Sequence, residues 1–225
     1  MGRMEIFRVG GIPIVLDFLF VLLAGLWSWP YWSGGSATAM SAGFVLMLGL
    51  FLSILLHELG HAWAGRFYGV GTREIELNGL GGLCFFERSL PTGVLPRTVI
   101  GLAGPFANLV LWQLFDVAAD ASRDSGVGLL AMVLTQLAYV NWMLLVFNLL
   151  PAFPLDGGKV LEAWLAPLAG PSWAVRLVAV LGLAVTFWLA MYGMRTGNTF
   201  MILLAALIGI QNWQMLQSYG GFGRR

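Results

Sequence analysis

Long apolar stretches, each broken by only a few polar positions, recur along the whole chain of 225 residues. A helix needs about 20 apolar residues to cross the hydrocarbon core of a bilayer. By this measure the sequence predicts six spans, at about residues 14–29, 40–64, 99–117, 127–150, 173–194 and 199–216. We therefore expect an all-α polytopic membrane protein with about six transmembrane helices.

The longest segment between spans, residues 65–96, has a different pattern. Polar and apolar residues alternate from Thr72 to Leu77, which is the period of a half-exposed strand. Asn78-Gly79 is a hairpin-turn signal, and residues 83–86 would form the return strand. We expect a small β element at the membrane surface, at about residues 73–86. No other loop is long enough for a soluble domain, so residues 1–225 are expected to form a single domain.

The composition supports a membrane protein, since 59% of the residues are hydrophobic and only 10% are charged. Soluble domains carry roughly 25% charged residues. A soluble fold of this size would also have to leave much of its apolar surface in water. The formal net charge of +1 gives no indication of a nucleic-acid partner. The lipid bilayer is therefore the expected surrounding of most of the chain.

The positions of the basic residues predict the orientation of the spans. With the N-terminus in the cytoplasm, ten basic residues fall inside, and only Arg123 and Arg195 fall outside. Such an excess of Lys and Arg is typical of cytoplasmic loops. We expect both termini to be cytoplasmic, which agrees with Arg224 and Arg225 at the C-terminus.

Both histidines of the chain lie in one HELGH motif, as His57 and His61, inside the second predicted span. Residues at i and i+4 share one face of a helix, so the two imidazoles could bind one zinc ion. Glu58 between them could then accept a proton from the attacking water. Ionisable residues inside a span are costly and usually mark function. The alternative is a pair of helix-packing histidines with Glu58 as partner, which would leave a carboxylate poorly paired.

A catalytic zinc site typically has three protein ligands and one open position. The third ligand cannot be a histidine, because none remains, and we expect an acidic residue. The acidic candidates in the loops and span ends are Glu74, Glu76, Glu87, Asp116, Asp120, Asp124, Asp156 and Glu162. The predicted topology places the three aspartates around the outside loop a membrane thickness away from the histidines. Topology alone does not separate Asp156 from Glu87, because both would lie on the cytoplasmic side.

The residues around Asp156 are unusual for the end of a span. Pro151 and Pro154 stop the helix from continuing. Carbonyl groups released in this way are tolerated at membrane depth only against protein or a water-filled cavity. Gly157 and Gly158 let the backbone approach its neighbours closely. These features favour Asp156 as a ligand, whereas the alternative is an ordinary loop in which Asp156 is the N-cap of a short helix at about residues 158–165.

Three segments together make the chain resemble the site-2 protease family of intramembrane zinc metalloproteases. They are the HELGH motif in a span, residues 148–157 at the end of a later span, and the segment from Gly104 to Asn108 in the third span. The resemblance covers about residues 11–165. Many members of this family carry a PDZ or a CBS domain, and we expect this chain to be a minimal core without either.

The resemblance also implies roles for individual residues. It implies a Zn²⁺ ion held by His57, His61 and Asp156, with Glu58 as the general base. It implies that Asn148 helps to hold the substrate carbonyl or the oxyanion. For Asn108 it suggests a supporting role near the site, and helix-to-helix hydrogen bonding is the alternative. Gly81 and Gly82 would let a substrate backbone come close, or would form a plain turn.

The hypothesis from the sequence is an intramembrane zinc metalloendopeptidase that cleaves within or near a transmembrane segment of another protein. We expect the β element to receive the unwound substrate as an added strand. One alternative is a membrane-anchored zinc protease that acts on soluble loops and uses Glu87 as its third ligand. Another is a non-catalytic zinc-binding scaffold or a metal transporter. Glu58 argues against a loss of catalysis, and the lack of a polar pathway in three of the spans argues against transport.

Several other residues have simpler interpretations. Asn141 is expected to form hydrogen bonds between helices. Gly60 and Ala64 are expected to allow close helix packing. Asp17 is expected to be a carboxylate at the cytoplasmic interface.

Overall fold

The structure is a computed structural model that describes residues 3–33, 35–79 and 81–220. Its elements are, in chain order, β1 (Arg3–Val9), β2 (Ile12–Asp17), α1 (Phe18–Trp32), α2 (Ala37–Phe67), β3 (Thr72–Asn78), β4 (Gly81–Phe86), α3 (Val94–Asp124), α4 (Gly128–Asn148), α5 (Asp156–Ala169), α6 (Pro171–Thr196) and α7 (Thr199–Gly220). A mostly helical chain with one small sheet confirms the predicted fold class. Arg224 and Arg225, used in the orientation argument, lie outside the described residues.

Five helices of the described chain are long and apolar enough to cross a membrane, namely α2, α3, α4, α6 and α7. The first predicted span is shorter, because α1 has only 15 residues and begins at Phe18. Asp17 is its N-cap and accepts a hydrogen bond from the Leu19 N–H at 2.7 Å, which satisfies a backbone donor of the first turn. The predicted start at residue 14 was therefore wrong, since residues 14–17 belong to β2.

The sheet has four strands in the order β1-β2-β3-β4. The predicted hairpin is present as antiparallel β3 and β4, in which Asn78 pairs with Gly81. The two N-terminal strands were not predicted. β2 runs parallel to β3, with Ile14 opposite Ile75, and β1 is antiparallel to β2. This order places β4 at one edge of the sheet.

Contacts divide the chain into two compact units. The first comprises Met1–Leu90 and Ala103–Leu145, and the second comprises Pro91–Leu102 and Val146–Arg225. The first unit is built around α2. Its main core joins the sheet, α1 and α2 through Ile14, Phe20, Ala24, Ile54, Leu55, Leu59, Ala62, Ile75 and Leu77.

Glycines allow close helix packing in the first unit. A Cβ added at Gly60 of α2 would lie 2.6 Å from the carbonyl oxygen of Ala103 in α3. A Cβ added at Gly49 would lie 2.6 Å from the side chain of Leu137 in α4. The predicted packing role of Gly60 is thereby confirmed, and α2 lies directly against both α3 and α4.

The second unit is built from α5, α6, α7 and the loop that follows α4. Ala152 of the loop packs with Leu189, Met201, Ala205 and Ile208 of α6 and α7. Phe153 packs with Val175, Val178 and Ala179 of α6. The proline-containing loop is therefore part of a hydrophobic core.

Candidate metal centre

His57 and His61 lie one turn apart on α2, and their side chains share one buried face. The exposed fraction of the surface is only 5% for His57 and 6% for His61. Their Nε2 atoms are 3.2 Å apart, and the two rings are nearly perpendicular. Two nitrogens bound to one tetrahedral zinc ion at about 2.0–2.1 Å would be separated by about 3.3–3.4 Å. The histidine pair therefore fits a single ion.

Gly104 of α3 faces these two nitrogens. A Cβ at this position would lie 2.3 Å from Nε2 of His61 and 2.6 Å from Nε2 of His57. No side chain fits there without displacing the imidazoles. The space in front of both nitrogens thus depends on glycine at this point of α3.

Asn108 lies one turn after Gly104, on the same face of α3. Its Oδ1 accepts a hydrogen bond from Nδ1 of His57 at 2.5 Å, and its Nδ2 donates to Oδ1 of Asn141 in α4 at 2.9 Å. Asn108 therefore contacts His57 and also joins α3 to α4, so the predicted helix-to-helix hydrogen bond is present. The interhelical role predicted for Asn141 is confirmed.

Glu58 is buried and lies against the edge strand β4. A Cβ at Gly82 would lie 2.4 Å from Cγ and 2.5 Å from Oε1 of Glu58. Gly81, the preceding residue, has a φ of +127°, a conformation that favours glycine. Of the two glycines predicted to allow a close approach, Gly82 therefore lies beside the carboxylate of the HELGH motif, whereas a Cβ added at Gly81 would meet nothing within 4 Å.

Asp156 belongs to the second unit and is the first residue of α5, with 3% exposure. The N-cap is Leu155, so the alternative that made Asp156 the cap was wrong by one residue. Lys159, the only lysine of the chain, donates a hydrogen bond to Oδ1 of Asp156 at 3.0 Å. Asn148 is the last residue of α4 and is half-buried.

Gly157 and Gly158 are closely surrounded by backbone. An added Cβ would lie 2.2 Å from the Leu149 carbonyl oxygen at Gly157, and 2.6 Å from the Ala152 carbonyl oxygen at Gly158. The sequence predicted a close backbone approach at these two glycines. The backbone that these two glycines contact is that of their own loop.

Within the described residues, one group of metal-ligating side chains could hold an ion, namely His57, His61 and Asp156, and all three are buried. Glu87 is exposed in the loop after β4, and its carboxylate lies against Gly71.

Other acidic candidates have basic partners. Glu74 and Glu76 pair with Arg3, Asp120 pairs with Arg123, and Glu162 pairs with Arg97. Each of these four carboxylates therefore has a basic partner, and none of these partners lies on α2.

The family model of peptidase family M50 matches residues 45–124 and 114–192, which together cover more than half of the chain. The chain belongs to peptidase family M50. The resemblance found in the sequence is confirmed. Together with the five apolar helices, membership of this family makes the chain an integral membrane protein.

Individual relatives agree with the family assignment. Zinc metalloprotease MJ0392 of Methanocaldococcus jannaschii is 29% identical over 218 residues, which cover 91% of this chain and 58% of the relative. Stage IV sporulation protein FB of Bacillus subtilis is 29% identical over 119 residues, covering 51% of this chain and 38% of the relative. The chain spans about half the length of the curated relatives it matches.

A solved structure is similar over nearly the whole chain. The Site-2 Protease from Methanocaldococcus jannaschii matches with a TM-score of 0.67 and 25% sequence identity. The match covers 99% of this chain and 97% of that chain. The arrangement of helices and sheet is therefore that of a site-2 protease.

One well-placed polar residue was missed by the sequence reasoning. Asn212 of α7 is fully buried and contacts the backbone of Phe153 in the loop before Asp156. Its only signal in the sequence is an amide inside an apolar span, which is a usual sign of an interhelical hydrogen bond. Nothing in the local pattern indicates that its partner is a loop.

Proposed function

We propose that this M50 chain is an intramembrane zinc endopeptidase that hydrolyses a peptide bond within or near a transmembrane segment of a substrate protein. The observation that carries the proposal is the buried His57–His61 pair, with Glu58 beside it, inside an apolar helix of 31 residues. Water-requiring chemistry at such a place explains why three costly ionisable groups lie in a span.

In this proposal His57, His61 and Asp156 hold the zinc ion. Two imidazoles and one carboxylate form a donor set that zinc enzymes use, and it leaves a position open for water or substrate. When bound, zinc supplies Lewis acidity, which polarises a carbonyl and makes water a nucleophile near neutral pH. The zinc metalloprotease names of the relatives support this choice of metal.

Glu58 is the proposed general base. Its carboxylate accepts a proton from the attacking water and passes it to the nitrogen of the leaving amine. Asn148 is proposed to donate a hydrogen bond from its side-chain amide to the substrate carbonyl, a bond that strengthens as negative charge develops there. Asn108 acts in support, through its hydrogen bond to His57.

We further propose that the substrate binds as an extended strand along β4. A peptide bond inside a helix is shielded by its own hydrogen bonds, so the substrate must unwind before water can attack. The edge position of β4 and the contact of Gly82 with Glu58 support this mode, because a strand added there would pass close to the base. Main-chain hydrogen bonds would hold substrates of differing sequence.

For the topology we propose that both termini and the active site lie toward the cytoplasm, and that the two compact units act as one protease domain. The excess of basic residues on one side supports the orientation. A reporter active only in the cytoplasm, fused after Arg225, should be active. A silent reporter on a normally expressed protein would refute the orientation.

The test of the function is the Glu58→Gln variant. Glutamine keeps the size and hydrogen bonding of glutamate but cannot accept the proton, so cleavage should fall by at least about 10²–10⁴-fold while zinc stays bound. Purified protein in lipid vesicles would be mixed with a panel of fluorescently tagged single-span proteins. Glu87→Gln, at an exposed loop position, is the control. Near-normal turnover by Glu58→Gln, or loss of its zinc, would contradict the proposal.

A further inference from the structure

A chain of buried hydrogen bonds extends from His57 beyond Asn108 into the protein interior. The Nδ2 group of Asn141 donates to Oγ of Ser53 at 2.9 Å and to the carbonyl oxygen of Leu137 at 2.9 Å. Ser53 in turn donates its hydroxyl hydrogen to the carbonyl oxygen of Gly49 at 2.7 Å. The four side chains that form these hydrogen bonds are all buried, so water does not compete for their partners.

The direction of every hydrogen bond in this series follows from two backbone carbonyls. A carbonyl oxygen only accepts, so the group of Asn141 that faces Leu137 must be its NH₂. Ser53 uses its single hydrogen on Gly49, so its Oγ must accept from the same NH₂. Reversing the Asn141 amide would place its oxygen against the Leu137 oxygen, with no hydrogen between them.

The orientation of Asn141 determines that of Asn108. Because the NH₂ group of Asn141 donates to Ser53 and Leu137, its Oδ1 faces Asn108. Asn108 must therefore donate to it from Nδ2. Asn108 then presents its own Oδ1 to His57, and an acceptor in this position requires a hydrogen on Nδ1. A neutral imidazole carries only one N–H, so its lone pair is on Nε2.

We propose that Asn141 and Ser53 are positioning residues that act through Asn108 to set the tautomer of His57, so that the lone pair on Nε2 faces the metal position. This inference rests on the proposed role of His57 as a zinc ligand. A ring with its hydrogen on Nε2 could not bind the ion until that hydrogen moved. Groups that orient a ligating histidine in this way typically change metal affinity by about 10–100-fold when they are removed.

The chain has only two histidines, so the tautomer can be measured directly. Protein with ¹⁵N-labelled histidine rings, purified without metal, gives signals from two rings, and the His61→Ala variant identifies those of His57. The expected result is a protonated Nδ1 and an unprotonated Nε2 on His57. A hydrogen on Nε2 of His57 in the wild-type protein would overturn the proposal without any variant being made.

Variants test whether the hydrogen bonds from Ser53 through Asn141 and Asn108 to His57, here called the relay, cause this tautomer. Asn141→Leu removes the hydrogen bonds to both Ser53 and Leu137, so His57 should become a mixture of tautomers. Its zinc affinity, measured in competition with a chromophoric chelator, should fall by about 10–100-fold. Ser53→Ala leaves the hydrogen bond to Leu137 in place and should have a smaller effect. Thr135→Val removes a hydroxyl of α4 that is not part of the relay, and it should leave both measurements unchanged.

A rescue separates positioning from mere packing. Asn108→Asp combined with Asn141→Leu presents a group that accepts from Nδ1 in either orientation, so the wild-type tautomer of His57 should return. A single tautomer in Asn141→Leu with unchanged zinc affinity would overturn the proposal, and so would a double variant that stays mixed. If the tautomers behave as expected but wild-type protein cleaves nothing, the proposed function fails and the relay stands.

Discussion

Asn212 of α7 holds the backbone of Phe153 through two hydrogen bonds, accepting from its N–H at 3.1 Å and donating to its carbonyl oxygen at 2.7 Å. The amide of Asn212 also donates to the Ile208 carbonyl oxygen within its own helix. A side chain of the last helix therefore restrains the loop that leads into Asp156, three residues later.

Replacing Asn212 with Leu should destabilise this loop. Two backbone groups of Phe153 would lose their partner in a buried place, which costs about 1–3 kcal/mol for each unsatisfied group. We expect a lower free energy of unfolding in detergent and weaker zinc retention. Gln217→Leu, at an exposed position of the same helix, is the control. Equal stability of the two variants would show that the hydrogen bonds between Asn212 and Phe153 do not stabilise the protein.

Replacing Gly104 with Ala should prevent metal binding. The new Cβ would occupy the space in front of both Nε2 atoms. We expect zinc affinity to fall by more than the roughly 10–100-fold typical of residues that only orient ligands. Gly128→Ala is the matched control, because an added Cβ there meets nothing within 4 Å. The zinc content of the purified variants is the measurement, and a zinc-replete Gly104→Ala protein would contradict the proposed site.

The identity of the third ligand can be tested by comparing Asp156→Ala with Glu87→Ala. Asp156 is buried, whereas Glu87 is exposed. We expect Asp156→Ala to lose activity and most of its bound zinc, and Glu87→Ala to keep both. Zinc per protein and cleavage rate would be measured side by side. The reverse outcome would favour a protease with a glutamate ligand that acts on soluble loops.

The ion pair between Arg97 and Glu162 should contribute to the stability of the second unit. Only 25% and 11% of the two side chains are exposed. Breaking a buried pair typically costs 3–5 kcal/mol, and we expect about 2–4 kcal/mol for Glu162→Ala because Arg97 still reaches solvent. Asp120→Ala breaks an exposed pair and should cost about 0–1 kcal/mol. Unfolding in detergent measures both, and equal losses would contradict the role of burial.

Proline substitutions along residues 82–86 test strand addition to β4. Proline removes a backbone N–H, and in a strand successive N–H groups point to opposite sides. Positions that face β3 should lose stability. Positions that face away should lose cleavage rate while stability and zinc content stay normal. If cleavage is insensitive to proline at every position of the stably folded variants, the substrate does not bind along this edge.

Features that depend on neighbouring residues along the chain were predictable. The spans follow from runs of apolar residues, because a hydrocarbon solvent imposes a minimum helix length. The HELGH motif places His57 and His61 on one face, because the helical period alone decides this. The β3–β4 hairpin follows from alternation and from Asn78-Gly79, since a turn and its two strands are local.

Features that depend on distant residues were decided only by the tertiary structure. β2 is as apolar as the start of a membrane span, and it is a strand because Ile14 finds a partner in Ile75. The hydrogen bonds of Asn108 continue through Asn141 to Ser53, and these three residues lie on three different helices. The sequence by itself determined which side chains could bind a metal and which helices could cross a membrane. The tertiary structure decided which buried polar groups meet, because a hydrogen bond depends on distances of about 3 Å that spacing along the chain does not specify.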